Sequence, residues 1–348
     1  MEHERPNTKP ETPNTSEFHY IHWLRSQTTA YPRVLVGPGD DCAVLTPSQR
    51  PMLVTTDMLM DGTDFIVSEV GPRRAGRKAM AANLSDIAAM AGIPTSAVVS
   101  VALPRQDSGF GIRDSGNLRT AGEQASRLSS SLNPESRIPN PGFAEQLYLG
   151  LRDVSDAFGV PIVGGDTNSW SGPLVISVTA FGEATERGAV LRSGAKAGDW
   201  IFVTGPLGGS IRGHHLDFTP RIREALALHS AVELHAMCDI SDGLAGDLNH
   251  ILEESNCGAV LITESIPVSV DAVELSRTSG KSALQHALGD GEDFELVFTV
   301  SAADGEKLLR SPPIVGLVKI GECVESGLWL ETAGKRERLQ PTGWVHEM

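Results

Sequence analysis

The chain has 348 residues, enough for two domains that each bury a core, and its 44 Asp and Glu against 29 Lys and Arg leave a formal charge of -15. That charge argues against a nucleic-acid groove or an anionic membrane surface, both of which need a positive field. Cys42, Cys238, Cys257 and Cys323 form no Cys-x-x-Cys pair and have no zinc-type His spacing, so they read as reduced, buried small hydrophobes.

Residues 1–16 are polar and proline-bearing, which predicts a disordered tail and no secretory signal. Phe18, Ile21 and Leu24 have the spacing of a short helix. Short β-rich runs follow at Val34–Val36, Ala43–Leu45, Leu53–Thr56, Ala97–Ala102, Ile162–Val163 and Leu174–Phe181, with helical stretches at 73–91 and 145–158. A first α/β or α+β domain over 17–185 is expected. Residues 105–142, rich in Ser, Gly, Arg, Asn and Pro, bury too little to offset their ordering entropy and read as a mobile insertion. A second domain over 186–348 has strands at Trp200–Thr204, Ala259–Ile262 and Phe294–Val300 and helices at 221–236 and 242–254. No run approaches the ~18 apolar residues that span a bilayer, so a cytoplasmic protein without membrane contact is expected.

Carboxylates recur where apolar strands end beside glycine: Gly39-Asp40-Asp41, Thr55-Thr56-Asp57, Gly164-Gly165-Asp166-Thr167 and Asp239-Ile240-Ser241-Asp242-Gly243. Strand ends form the rim where α/β proteins bind ligands, and glycine lets backbone approach a phosphate. Any one of them alone reads as a turn or a cap, and Ser241 or Asp242 could cap the helix that follows. Asp86 is different. It falls inside a helix, on a stripe with Ala79, Asn83 and Met90, where a half-buried acid needs a partner and a cation is the economical one. Many Asp residues converging on polyphosphate suit magnesium, and the compact calcium-loop register is absent. There is no P-loop and no protein-kinase motif set. The Thr204–Ser210 loop reads equally as a phosphate cradle or a tight turn, and His214 and His215 read as surface residues.

Together with Asn83-Leu84-Ser85-Asp86, Gly291-Glu292-Asp293-Phe294-Glu295-Leu296 and Gly343-Trp344, these motifs in this order resemble the thiamine-monophosphate kinases. That family sits in the superfamily of aminoimidazole ribonucleotide synthetase and selenophosphate synthetase. The resemblance implies an α+β fold of two α/β domains, with N-terminal domains pairing across a homodimer, and transfer of a phosphate from ATP to thiamine monophosphate. It implies magnesium at Asp40, Thr56, Asp57, Asp86, Asp166, Asp239 and Asp242. It also implies ATP contacts from Tyr148, Gly165, Asp166, Arg192 and Ser241, and thiamine contacts from Glu292 and Trp344. One departure stands out: where the family has Glu-Gly-x-His-Phe, this chain has Asp61-Gly62-Thr63-Asp64-Phe65, so Asp64 replaces a substrate-facing His. Competing readings are a relative acting on another small phosphorylated metabolite, or a non-catalytic nucleotide- or metal-binding protein.

Overall fold

The computed structural model describes residues 23–27, 30–37, 42–105 and 142–343. The N-terminal tail, nearly all of the expected insertion, Asp40 and Trp344 lie outside the described residues. Helix α1 is described over 23–27, and β1 (Val34–Val36) pairs with β2 (Val44–Leu45) as a short antiparallel ribbon.

The first large sheet is built from β3 (Met52–Met60), β4 (Ile93–Pro104), β5 (Ile162–Trp170) and β6 (Val175–Glu183), in the order β3-β6-β4-β5. Strands β3 and β5 are longer than the sequence suggests, so Asp57 and Asp166 lie inside strands and not at their ends. The reason is continuous pairing: β6 partners every residue of β3, from Met52↔Glu183 to Met60↔Val175, and outweighs the local Asp-Gly turn preference.

Helix α2 (Val67–Ala89), kinked at Gly71 (φ 78°) before Pro72, lies on one face of this sheet. Beside it packs α3 (Phe143–Ser155). Two glycines let these helix backbones touch: a Cβ would stand 2.2 Å from the Leu147 carbonyl oxygen at Gly76 and 1.8 Å from that of Arg73 at Gly150. The opposite sheet face is open, with Met52, Val54 and Met58 more than half exposed.

The second sheet has seven strands: β7 (Trp200–Val203), β8 (Leu234–Asp239), β9 (Gly258–Ile262), β10 (Leu296–Val300), β11 (Val318–Val324), β12 (Leu328–Thr332) and β13 (Lys335–Arg338). Their order is β13-β12-β9-β11-β7-β10-β8. One face packs Ile201, Val203 and Val297 against Leu244, Leu248 and Ile251 of α6 (Leu244–Ser255) and Ala287 of α8 (Ala283–Gly289), with α7 (Val270–Ser279) just before α8 in the chain. The other face carries Phe202, Met237 and Phe298, which join Leu216 of α4 (His214–Asp217), Ala225 and Leu228 of α5 (Ile222–Ala231), Leu308 of α9 (Ala302–Arg310) and Met80 and Leu84 of α2 in one continuous core. That shared core presses α2 against β8.

Several expectations are corrected here. The helix expected over 221–236 stops at Ala231, and Leu234–Asp239 is a strand buried along most of its length; a short, mostly apolar run has too few residues for a period to tell the two apart. His215 is buried, its Nδ1 2.7 Å from the Ser210 carbonyl oxygen, whereas His214 is exposed as expected, its Nε2 3.1 Å from the Asp293 carbonyl oxygen. Cys42 is exposed, whereas Cys238 and Cys323 are buried as expected and all four cysteines are free.

Candidate active site

Strand β3 alternates its faces, turning Thr55 and Asp57 toward α2 and Thr56 toward the open side. Across from them α2 presents Asn83, Ser85 and Asp86. The Thr55 hydroxyl donates to Asp86, and the Asn83 side-chain oxygen accepts the Asp57 backbone N–H at 3.2 Å. From the second sheet comes Asp239, the last residue of β8, 4% exposed and accepting a 2.6 Å bond from Ser85 Oγ.

These acids crowd one another. Burial, then the charges of Asp86, Asp239 and Asp64, push Asp57 up to about 7. Burial and Asp86 push Asp239 up to about 6, against the Ser85 bond and the positive charge of Arg192. Burial also raises Asp86, against the Thr55 bond and again Arg192. Arg192 is exposed, with its backbone carbonyl anchored by Ser255 Oγ at 3.1 Å, so its guanidinium is available to a ligand.

The turn after β8 extends the cluster. Asp247 of α6 is buried, accepts the backbone N–H groups of Asp242 and Gly243 at 3.0 Å each, and is pushed up to about 7 by burial, Asp239 and Asp242. Asp242, Asp247 and His250 bring ligand atoms within 4.8 Å of one another. Sequence reasoning misses Asp247 and Thr55. Asp247 lies in the first turn of α6, three residues after Leu244, where an acid is favoured by the helix N-terminus, so unlike Asp86 it carries no local conflict that would mark it in the sequence.

Other predicted residues are dispersed. Within one chain Thr56 stands on the open face, away from Asp57 and Asp86: its hydroxyl donates to the Val178 carbonyl at 3.1 Å, while Thr55 bonds Asp86. Asp166 is exposed and shares a row with Ser100, Ser177 and Met58 on that same open face, so within one chain it stands away from Asp57. Gly165 before it has φ 152°, and a Cβ there would lie 1.8 Å from the Val99 carbonyl oxygen, so no other residue fits. Tyr148 is buried on α3, edge-on to Trp23 at 5.6 Å, beside a recess of about 20 Å³ that has room for a water. Asp64 closes the turn after β3 by accepting the Met60 N–H at 2.6 Å. Ser241 and Glu292 are joined directly, Glu292 N–H donating to the Ser241 carbonyl at 2.7 Å.

The Thr204–Ser210 loop resolves to a tight turn already filled by protein acids. Gly208 N–H donates to Asp293 at 2.9 and 3.0 Å and Gly209 N–H to Asp290 at 3.2 Å, which leaves no cradle for a phosphate. Asp293 is pushed up to about 8, chiefly by burial.

Asp57, Asp239, Asp247 and Asp293 thus bind protons more tightly folded than unfolded, so their contribution to stability is complete below about pH 4 and is lost as pH rises through 6 to 8. In metal-free buffer the melting temperature should fall between pH 5 and 8.5, because each tenfold difference in proton affinity between the folded and unfolded chain is worth about 1.4 kcal/mol. Scanning fluorimetry across that window checks it; a rising melting temperature would contradict the burial described.

The AIR synthase related protein N-terminal domain family matches residues 39–184, and the corresponding C-terminal domain family matches 196–327. A thiamine-monophosphate kinase of Rhodopirellula baltica is 37% identical over 340 residues, 95% of this chain and 97% of the relative. One from Bacillus subtilis is 31% identical over 95% of this chain and 99% of the relative. This chain belongs to the thiamine-monophosphate kinase family. The crystal structure of the family member from Stenotrophomonas maltophilia K279a superposes with a TM-score of 0.70 at 29% identity, covering 92% of this chain and 98% of that one. AaThiL, solved with AMPPCP and TMP, superposes with a TM-score of 0.66 at 27% identity, covering 95% and 97%. Among the described residues no helix is long and apolar enough to cross a membrane.

Proposed function

We propose that the protein transfers the γ-phosphate of ATP to thiamine monophosphate, giving thiamine diphosphate and ADP. The observation that carries this reading, in a chain of this family, is the convergence of half-buried Asp57 and Asp86 with buried Asp239, held by Asn83, Thr55 and Ser85, with Arg192 the cation that bears on Asp86 and Asp239. Such a cluster fits a divalent cation, because buried like charges are stable only when paired.

Asp57, Asp86, Asp239 and Asp242 would hold magnesium, with Thr55 orienting Asp86 and Ser85 orienting Asp239. Asp40, Thr56 and Asp166 keep their place as ligands on the family's motif. When bound, magnesium neutralises charge between the two polyanions. Arg192, beside two of the acids and open to solvent, holds the transferring phosphate and the negative charge that develops on it. Tyr148, Gly165, Asp166 and Ser241 would contact ATP. Glu292, Trp344 and Asp64 would contact the thiamine portion.

The acceptor oxygen of thiamine monophosphate is already ionised near neutral pH, so no general base is needed and none is assigned. The chain's task is to align acceptor and γ-phosphorus for a single in-line displacement. Pairing of two chains over the open sheet face would cover Met52, Val54 and Met58 and make a homodimer. Buried free Cys238 and Cys323 fit a reducing, cytoplasmic compartment.

Incubation with Mg-ATP should yield thiamine diphosphate from thiamine monophosphate, and no product from free thiamine or formylglycinamidine ribonucleotide. A chirally labelled γ-phosphate should arrive inverted. Conversion of another acceptor in preference, or retained configuration, would replace this reading with a different substrate or with a phospho-enzyme.

A further inference from the structure

Lys78 and Ser85 are seven residues apart on α2 and so project from the same helix face. The second unit is bonded to that face at both points. Ser85 reaches Asp239, and Lys78 Nζ lies 2.5 Å from Glu292 Oε1 while donating to the Asp64 carbonyl at 2.6 Å. Lys78 is 1% exposed, so its ammonium has lost its water and depends on these two acceptors.

The acceptors belong to different units. Asp64 closes the turn after β3, where Asp64 stands for the family's His, and Glu292 sits in the segment before β10. Glu292 is itself held in a left-handed conformation, φ 54°, that few non-glycine residues adopt. Its N–H bond to Ser241 ties it to the acid-bearing turn, and a third of its side chain remains exposed beyond the Lys78 bond. A single buried ammonium therefore sets the spacing between two segments assigned to the acceptor, while a carboxylate oxygen of Glu292 is left for a ligand.

We propose that Lys78 is a positioning residue for the acceptor: it holds the Glu292 carboxylate and the Asp64 turn at the separation that admits a cationic heteroaromatic ring, and it acts through Glu292 and not on the phosphates. This rests on the functional reading above, in which Glu292 touches the acceptor.

Lys78→Met should raise the KM for thiamine monophosphate at least tenfold, leave the KM for ATP within about twofold, and change kcat less than KM. Glu292→Gln should do the same, and the double variant should be no worse than Glu292→Gln alone, because a residue that acts through a partner has nothing left to act on once the partner is gone. Lys78→Arg, which keeps the charge with a different reach, should lie between wild type and Lys78→Met. Equal effects on both KM values, or losses that multiply in the double variant, would make Lys78 a general strut between the units and overturn the proposal. Should Lys78→Met fail to fold, the same KM comparison on Lys78→Arg decides, an unchanged KM for the acceptor counting against it. Wild-type turnover of thiamine monophosphate is measured first. Its absence sinks the functional reading, whereas turnover without the KM split sinks this inference alone.

Discussion

Asparagine at position 57 or 239 should lower turnover by roughly two to three orders of magnitude, the range that follows loss of one group organised around transition-state charge. Folding should not suffer in proportion. Burial and neighbouring acids push Asp57 up to about 7 and Asp239 up to about 6, so in the metal-free protein each carboxylate works against the fold once ionised. A neutral amide of the same shape removes that repulsion, and its oxygen can still accept the Ser85 bond at position 239. The apo variants should therefore melt at or above the wild-type temperature at pH 8, with kcat reduced. An ADP-coupled assay beside scanning fluorimetry separates the two effects. A variant that melts early yet keeps its specific activity would return these acids to a structural role.

Excess chelator should bring turnover below detection, and added magnesium should restore it. Two polyanions cannot be brought together beside Asp57, Asp86 and Asp239 with Arg192 as the neighbouring counter-charge. Magnesium should also raise the wild-type melting temperature more at pH 8 than at pH 5, because the acids must release their protons before they can bind a cation. That gain should shrink in Asp57→Asn, whereas a change at Asp293, whose carboxylate serves Gly208, should leave it in place. Activity that survives metal removal would dismiss the magnesium assignment.

Asp86 is legible from one dimension because an acid on the buried stripe of a helix conflicts with its surroundings, and the conflict marks function whatever the fold. The family is legible for a different reason: ordered short motifs along the chain survive without any knowledge of how strands pair. What the linear chain cannot express is which face a residue takes once a strand is paired. Thr55 and Thr56 are chemically alike, and β3 lengthening to nine residues against β6 sends one hydroxyl to Asp86 and the other to the Val178 carbonyl. Lys78 is similarly silent in sequence, one basic residue in a helix rich in them, until the shared core presses α2 against the second sheet and leaves its ammonium no water, only Glu292 and Asp64. Motif chemistry is local and can be read residue by residue. Desolvation and facing belong to packing, and packing exists only after residues more than a hundred positions apart have met.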